Sequence, residues 1–278
     1  MKADSDRSVM PFTLASKKFP PTVYKYRVWE TPKHRTILTD RQVWFAAPST
    51  FNDPLDCKNP TRYDILSDKE LSQVYLNSSK EENPNFSRQQ HRAYVRKWLK
   101  KTSLRDKDYL KEMSIKDNEN LNNFLGVLSL TANPANKAMW ETYSQSHTGF
   151  VVGFNSQIAF QYFGGGGKVE YVDQLPIIKP RPFNDFMEQA RLKIYFKHSK
   201  WASEDEYRLQ KSGFSSTYDE NRKIVLPVEA FSEIVFGAQI NQTVKSEIIA
   251  IIKNTMSHIK LRQAQLNGTG EVAIYNES

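Results

Sequence analysis

Cysteine is almost absent from this chain of 278 residues. Its one cysteine, Cys57, has no second thiol with which to form an internal disulfide, so we expect a protein of a reducing compartment, the cytoplasm. Asp53 and Asp56 stand shortly before it, and neighbouring carboxylates raise the pKa of a thiol. We therefore interpret Cys57 as a structural residue rather than a nucleophile.

Long apolar runs are absent as well. No stretch approaches the roughly 20 apolar residues that a helix needs to cross a bilayer. The first residues carry no apolar segment of the kind found in secretory signals. We therefore expect a soluble protein that has no membrane partner.

Several motifs that carry known chemistry are also missing. The glycine run Gly164–Gly167 is followed by Lys168 and Val169, so it lacks the Ser/Thr and the glycine spacing of a phosphate-binding loop. No G-x-S-x-G nucleophile elbow occurs. The five histidines show no zinc-ligand spacing, so we expect no dedicated metal site.

Positive charge is in excess, with a formal net charge of +8, but no block of five or more like charges occurs. Two interpretations remain open. In the first, the excess charge belongs to an ordinary solvated, lysine-rich surface. In the second, it attracts an anionic partner such as a nucleotide or a nucleic acid.

The composition, with 39% hydrophobic and 12% aromatic residues, predicts a packed core. Alternating and helical apolar patterns follow one another irregularly, without a βαβ series. This order predicts an α+β fold with a mixed, mainly antiparallel sheet and packed helices. We predict a flexible N-terminal arm over 1–20, then a single domain over 21–278 with a helical insertion near 64–120. Outside the insertion, the predicted strands are 23–29, 43–46, 124–130, 149–154, 168–172, 206–210, 223–228, 233–236, 259–265 and 271–275, and the predicted helices are 31–39, 135–146, 183–198 and 242–257.

The segment Trp201–Arg208, WASEDEYR, is the first candidate site. If it enters a strand, the alternation of side chains puts Glu204, Glu206 and Arg208 on one face. Facing carboxylates push their pKa values apart, which suits one acid and one anion. A glutamate beside an arginine also suits the stabilisation of an oxocarbenium-like state. The alternative is an exposed ion pair between Glu206 and Arg208, worth about 0.5 kcal/mol.

An aromatic stripe is the second candidate. On a helix, Trp140, Tyr143 and His147 share one face, which either stacks on a base or a nicotinamide or belongs to the core. We favour the core for Trp140 and leave His147 open.

Two further candidates lie near the start of the chain. Arg27 lies near the end of the first predicted strand, where a buried guanidinium requires a carboxylate or a phosphate. Asn52 and Asp53 lie in a turn that either holds a ligand hydroxyl or caps the chain.

Four spaced motifs give the chain a family resemblance. They are Tyr24-Lys25-Tyr26-Arg27, then Trp44-Phe45 with Phe51-Asn52-Asp53-Pro54, then Trp140-x-x-Tyr143-x-x-x-His147-x-Gly149-Phe150, and finally Lys197-x-x-x-Trp201-x-x-Glu204-x-Glu206-Tyr207-Arg208. In this order they resemble the bacterial domain-of-unknown-function 2971 family (DUF2971), over about residues 22–265. Members are often met beside mobile elements and phage-defence genes, so the resemblance implies an intracellular effector, with a role in antiphage defence.

The chain is also distantly similar to ADP-ribosyltransferases, which begin with a strand that bears Arg or His and end with a catalytic Glu. This similarity implies NAD as the cofactor, with Arg27 on its phosphates or ribose and Tyr143 stacked on the nicotinamide. Glu206 then stabilises the oxocarbenium, and Glu204 positions the acceptor. The Ser-Thr-Ser strand of that family has only Ser129-Leu130-Thr131 as a poor counterpart. The candidate cofactor-binding residues are Tyr24, Arg27, Asn52, Asp53, Tyr143, His147 and Arg208.

Three functions therefore remain as hypotheses. The first is an enzyme that transfers ADP-ribose from NAD or hydrolyses NAD. The second is a module that binds nucleic acid through scattered basic residues and exposed aromatic rings. The third is a nuclease in which Asp53, Glu204 and Glu206 hold magnesium.

Overall fold

The computed structural model of the chain describes residues 19–101 and 103–277. The predicted N-terminal arm over 1–20 lies mostly outside the described residues. The strands are β1 (Thr22–Arg27), β2 (Gln42–Trp44), β3 (Leu125–Thr131), β4 (Phe150–Asn155), β5 (Gly166–Lys168), β6 (Glu170–Val172), β7 (Phe196–His198), β8 (Glu206–Ser212), β9 (Lys223–Val225), β10 (Phe231–Phe236), β11 (Lys260–Leu266) and β12 (Val272–Asn276). The α-helices are α1 (Pro32–Thr39), α2 (Asp68–Glu82), α3 (Arg88–Lys101), α4 (Lys107–Phe124), α5 (Lys137–Tyr143), α6 (Ser156–Tyr162), α7 (Phe186–Ile194) and α8 (Gln242–Thr255).

Eight strands form one open sheet in the order β12-β11-β10-β4-β1-β3-β8-β5. Its neighbouring strands are antiparallel except β10 and β11, which are parallel and are connected through α8. Parallel neighbours need such a crossover, whereas antiparallel ones do not. The predicted α+β class with a mixed, mainly antiparallel sheet is confirmed. Two small sheets pair β2 with β9 and β6 with β7.

Helices cover both faces of the central sheet. Along β1, Val23 points into the large core cluster that contains Ile248 of α8. The alternate residues Tyr24 and Tyr26 pack on the other face with Trp140 of α5, which is completely buried. Successive side chains of a strand point to opposite faces, so β1 contributes to both layers. The core interpretation of Trp140 is confirmed.

Helices α2, α3 and α4 occupy the predicted helical insertion near 64–120 and extend slightly beyond it. Ser67 begins α2 with a capping box, because its side chain accepts the N–H of Glu70 while the Glu70 carboxylate accepts the N–H of Ser67. Asp106 caps α4 in a similar way through one carboxylate oxygen. These three helices have a small apolar core of their own around Leu71.

Arg222 secures the end of α4 to the sheet. Its guanidinium is fully buried, and it donates hydrogen bonds to the main-chain carbonyls of Asn122, Asn123, Leu125, Phe45 and Ser216. The last carbonyls of a helix have no donors within the helix, and they form the negative end of its dipole. A buried cation at this position therefore satisfies carbonyls that would otherwise lack donors.

Three elements differ from the sequence-based expectation. The strand predicted over 168–172 is divided into β5 and β6, which lie in different sheets. The helix predicted over 183–198 is shorter, since α7 ends at Ile194 and the residues after it form β7. Helix α6, which follows β4 directly, was not predicted. Within residues 19–101 and 103–277, no helix combines the length and the apolar character that a membrane span requires.

Candidate functional site

A cavity of about 370 Å³ opens beside the middle of the central sheet. Its walls come from β1, β3, the loop after β2, α5 and the segment that leads into β8. Seven of the residues predicted from sequence line this one cavity: Tyr24, Arg27, Asn52, Asp53, Tyr143, Glu204 and Glu206. The structure therefore brings together side chains that are up to 182 positions apart in the sequence.

A buried ionic cluster forms the acidic wall of the cavity. The Lys197 ammonium lies 2.7 Å from Glu204 Oε2, 3.2 Å from Glu206 Oε2 and 3.4 Å from Asp56 Oδ2. Arg208 is the second cation of the cluster, with Nε 2.8 Å from Glu206 Oε1 and Nη2 2.6 Å from Asp56 Oδ2. Three carboxylates and two cations leave this cluster with one net negative charge. Buried ion pairs contribute little net stability, so a cluster of this kind is a functional-site candidate.

Arg208 supports the cavity without lining it. Its side chain is completely buried and binds both oxygens of Glu206, both oxygens of Asp56 and the carbonyl of Ile194. Burial opposes the charge of Arg208, but Glu206 and Asp56 outweigh that effect and raise its pKa above the ordinary value. The alternative of an exposed Glu206–Arg208 ion pair is wrong, because both partners are buried. Cys57 lies in the same interior, where burial raises the pKa of its thiol.

Glu206 is held as a carboxylate. Burial alone would raise its pKa, but Arg208 and Lys197 outweigh burial and lower it to about 2. Arg208 binds the carboxylate in a two-pronged manner, with a second bond of 2.9 Å from Nη2 to Oε2. This arrangement fixes the orientation of the Glu206 side chain, which also accepts a hydrogen bond of 3.2 Å from Lys197.

Glu204 reaches the same wall by a different route from the one predicted. It ends a 3-10 turn over Ser199–Glu204, and Asp205 after it has a left-handed backbone with φ 41°. The strand begins only at Glu206, so strand alternation does not explain why the two glutamates meet. Their common partner Lys197 does, since its ammonium contacts both of them.

Tyr143 and Lys197 bind different oxygens of the Glu204 carboxylate. Its hydroxyl donates a hydrogen bond of 2.8 Å to Glu204 Oε1, and burial together with this carboxylate raises the pKa of Tyr143 to about 12. Trp201 covers the ammonium of Lys197, which lies 5.0 Å from the centre of its ring. The aromatic rings thus shield the ionic cluster at the cavity wall.

Two cations on β1 form a basic wall. Lys25 donates to the carbonyl of Ser129 at 2.6 Å, and Arg27 donates to the carbonyl of Tyr26 at 3.1 Å. Neither has a carboxylate ion pair within the described part of the chain. Burial and the nearby Arg27 charge lower the pKa of Lys25 to about 7, and burial lowers that of Arg27 to about 10. Cations that have no carboxylate partner can bind an anionic group of a ligand.

Asn52 and Asp53 line the cavity from the loop after β2. Asp53 is buried, and its Oδ1 accepts the N–H of Leu55 at 3.1 Å. It therefore caps its own turn while also facing the cavity, so the two interpretations of this turn are compatible.

His147 is not among the residues that line the cavity. Its ring is buried and stacks on Trp140, with 5.8 Å between the ring centres. The backbone of His147 is left-handed, with φ 68°, which turns the chain after α5 instead of continuing the helical face. A shared face with Tyr143 therefore does not form.

Sequence reasoning missed three residues of the site. Asp56 and Lys197 complete the ionic cluster, and Lys25 completes the basic wall. Lys25 and Lys197 belong to the family motifs described above, but a single sequence does not show which side chains they contact. Asp56 is visible only as a neighbour of Cys57, and its partner Arg208 lies 152 positions away.

Among the described residues, no group of three or more His, Cys, Asp or Glu side chains is arranged to hold a metal ion. Asp53, Glu204 and Glu206, the ligands of the nuclease hypothesis, thus do not form such a group. A second cavity of about 760 Å³ lies between α4, α7 and the end of β8. It is larger and more apolar, but it contains none of the predicted site residues. Convergent charged groups favour the smaller cavity as the candidate site.

The fold and the site together define an α+β protein with a charged cavity that both acidic and basic side chains line. Residues 139–209 match the model of a family described as a protein of unknown function, DUF2971. This segment carries Tyr143, Lys197, Trp201, Glu204, Glu206 and Arg208, and it agrees with the resemblance expected from the motifs. No curated protein and no solved structure matches the chain.

Proposed function

We propose that the cavity binds NAD and cleaves its bond between nicotinamide and ribose, either to transfer ADP-ribose or to hydrolyse NAD. The single observation that carries this proposal is that Arg27, Tyr143 and Glu206 line one cavity. In addition, β3 with Ser129 lies directly between the strands of Arg27 and Glu206. This neighbourhood supports the distant similarity to ADP-ribosyltransferases, whose motifs lie on such strands.

The charges of the two walls fit the two ends of such a substrate. Lys25 and Arg27 offer cations to the phosphates, while Glu204 and Glu206 offer acceptors to the ribose hydroxyls. Nicotinamide carries a positive charge in NAD, and the ring of Tyr143 offers it a π face. The volume of about 370 Å³ suits the nicotinamide ribose and the adjacent phosphate.

The proposed reaction breaks the bond between C1′ of the ribose and the ring nitrogen of nicotinamide. The electron pair leaves with nicotinamide, which departs neutral, and positive charge develops on the ribose. The carboxylate of Glu206 stabilises this charge in a site with little water. The oxygen of an acceptor hydroxyl or of a water molecule then bonds to C1′ and releases its proton to the solvent, and Glu204 positions that acceptor.

The ionised state of Glu206 suits this role. A pKa of about 2 keeps the carboxylate charged at any physiological pH. Arg208 holds it in one orientation, so no rearrangement is needed when positive charge develops opposite it. The defence role implied by the family resemblance belongs to this proposal as its cellular context, that of an intracellular bacterial effector.

The direct test measures the release of nicotinamide from NAD by the purified chain and by Glu206→Gln. We expect the substitution to lower the rate by roughly 10²–10³-fold, because an amide does not stabilise the developing positive charge. Glu229→Gln is the matched control, since Glu229 is exposed and lies outside the cavity. It should retain the full rate.

A second measurement separates a lost reaction from a lost fold. Thermal unfolding of Glu206→Gln should remain cooperative, and the variant should still bind ADP-ribose through the basic wall. If the wild-type chain neither binds nor cleaves NAD, or if Glu206→Gln cleaves it at the normal rate, the proposal is wrong. Activity on nucleic acid that EDTA abolishes would instead favour the nuclease hypothesis.

A further inference from the structure

Helix α3 concentrates the positive charge of the chain. Over 14 residues, RQQHRAYVRKWLKK, it carries six lysines and arginines and no acidic residue. The formal net charge of the whole chain is +8, so one helix accounts for most of the excess. A search for uninterrupted blocks of like charge misses this concentration, because neutral residues separate the cations.

The cations of α3 are exposed and available to a partner. They are Arg88, Arg92, Arg96, Lys97, Lys100 and Lys101. None of the six has an ion pair with an acidic side chain of residues 19–101 or 103–277. Their charge is therefore not neutralised within the described part of the protein.

Four of these cations form a stripe along one side of the helix. Arg88, Arg92, Arg96 and Lys100 follow one another at intervals of four residues, so successive cations are neighbours, and the row winds by about 40° around the helix at each step. A rise of about 1.5 Å per residue spreads the stripe over about 18 Å, with about 6 Å between neighbouring positions. Like charges at this spacing destabilise a helix, so the pattern does not serve the stability of α3 itself.

The apolar face of α3 is already engaged. Val95, Trp98 and Leu99 pack against the small core of the helical insertion, which contains Leu71 and Tyr75. A basic helix that lies on a membrane must bury its apolar face among the lipids. Helix α3 has no such face to offer, so its basic side suits a regularly spaced, water-exposed polyanion better than a lipid surface.

We propose that the stripe Arg88–Arg92–Arg96–Lys100 binds the phosphate backbone of a nucleic acid. Such contacts neutralise phosphates without reading bases, so the interaction is independent of sequence. The stripe is separate from the charged cavity, and the proposal does not depend on the reaction that takes place there.

The test uses fluorescein-labelled DNA and RNA of mixed sequence, each in single-stranded and double-stranded form. Binding to the full chain is measured by fluorescence anisotropy over a series of salt concentrations. The quadruple variant Arg88→Ala, Arg92→Ala, Arg96→Ala, Lys100→Ala should weaken binding at least about tenfold at 0.1 M salt. The slope of log affinity against log salt should fall by about 3, since four phosphate contacts disappear.

The matched control removes four exposed lysines elsewhere: Lys33→Ala, Lys211→Ala, Lys253→Ala, Lys260→Ala. It changes the net charge equally and should bind with nearly the affinity of the wild type. Alanine favours helix, so the stripe variant should keep its circular dichroism spectrum and its unfolding midpoint.

Several results would overturn the proposal. One is the absence of wild-type binding to all four nucleic acids. Another is an equal loss in the stripe variant and in the control, which would mean a general charge effect. Stripe-dependent binding to vesicles rich in phosphatidylserine, without binding to nucleic acid, would assign α3 to membranes instead. In each case, NAD cleavage by the cavity is measured in parallel, and it should be unchanged in the stripe variant.

Discussion

Lys25 lines the cavity, and burial lowers the pKa of its ammonium close to neutral pH. Its pKa of about 7 means that the ammonium is charged at pH 6 and largely neutral at pH 8.5. We predict that ADP-ribose binds more weakly as the pH rises above 7, by up to about tenfold per pH unit, because one proton must be taken up on binding. Isothermal titration at several pH values in two buffers measures both the affinity and the proton uptake.

The control for this pH dependence is Lys25→Met, which should bind weakly at every pH and take up no proton. The substitution Lys33→Met, at an exposed lysine outside the cavity, should keep the wild-type profile. The same shift also affects stability. The folded pKa of Lys25 lies below the unfolded value of about 10.4, so the unfolded chain binds more protons between pH 7 and 10 and stability rises with pH there. A flat binding profile in the wild type would contradict the prediction.

At the same scale, several side chains of the cavity could be predicted from the sequence, but their ion-pair partners could not. Glu206 and Arg208 are visible because they lie two positions apart on a predicted strand. Asp56, which binds Arg208 from 152 positions away, gives no signal in one sequence. A long-range ion pair depends on how the strands and loops are arranged, and neither local propensity nor period contains that information.

At the scale of elements, Arg222 joins α4 to the sheet through five carbonyls. We predict that Arg222→Met lowers the free energy of unfolding by about 3 kcal/mol or more, because several buried carbonyls lose their donor. Urea unfolding at pH 7 measures the change. Lys253→Met, at an exposed position of α8, is the control and should alter the free energy by less than about 0.5 kcal/mol.

This prediction has a clear contrary outcome. If Arg222→Met and Lys253→Met unfold at the same urea concentration, water replaces the guanidinium at the end of α4 without cost. The contact of Arg222 with the ring of Phe214, 4.4 Å from the ring centre, would then also contribute little to the free energy of unfolding.

Most elements could be predicted from the sequence because their apolar patterns are long and regular. Strand β4 is a continuous apolar run, and α8 shows apolar residues at helical spacing between Asn241 and Met256. Helix α6 and the short strand β7 were not predicted, although α5 and β2, which are equally short, were. At such lengths, tertiary contacts decide the conformation.

At the scale of the whole molecule, stability is distributed unevenly. Helix α3 contains no buried residue, whereas Ile248 and Ile252 of α8 are buried in the large core. Both helices have 14 residues, so they form a matched pair. We predict that the amides of α3 exchange with deuterium well before those of α8, because the apolar residues of α3 are only partly buried.

Hydrogen exchange followed by mass spectrometry measures both helices in one experiment, with β4 as the slow reference. Bound double-stranded DNA should slow exchange in α3 if the stripe binds phosphates, and it should leave α8 unchanged. Equal exchange rates in the two helices of the free protein would show that the insertion unfolds only together with the sheet.

The distance along the chain between Asp56 and Arg208 has a consequence for biosynthesis. The basic wall leaves the ribosome early with β1, but the acidic wall needs β8, which is made after about three quarters of the chain. Incomplete chains that stop before Glu204 lack both glutamates of the cavity and also Arg208. The acidic wall of the cavity therefore cannot assemble in a nascent chain until Arg208 has been synthesised.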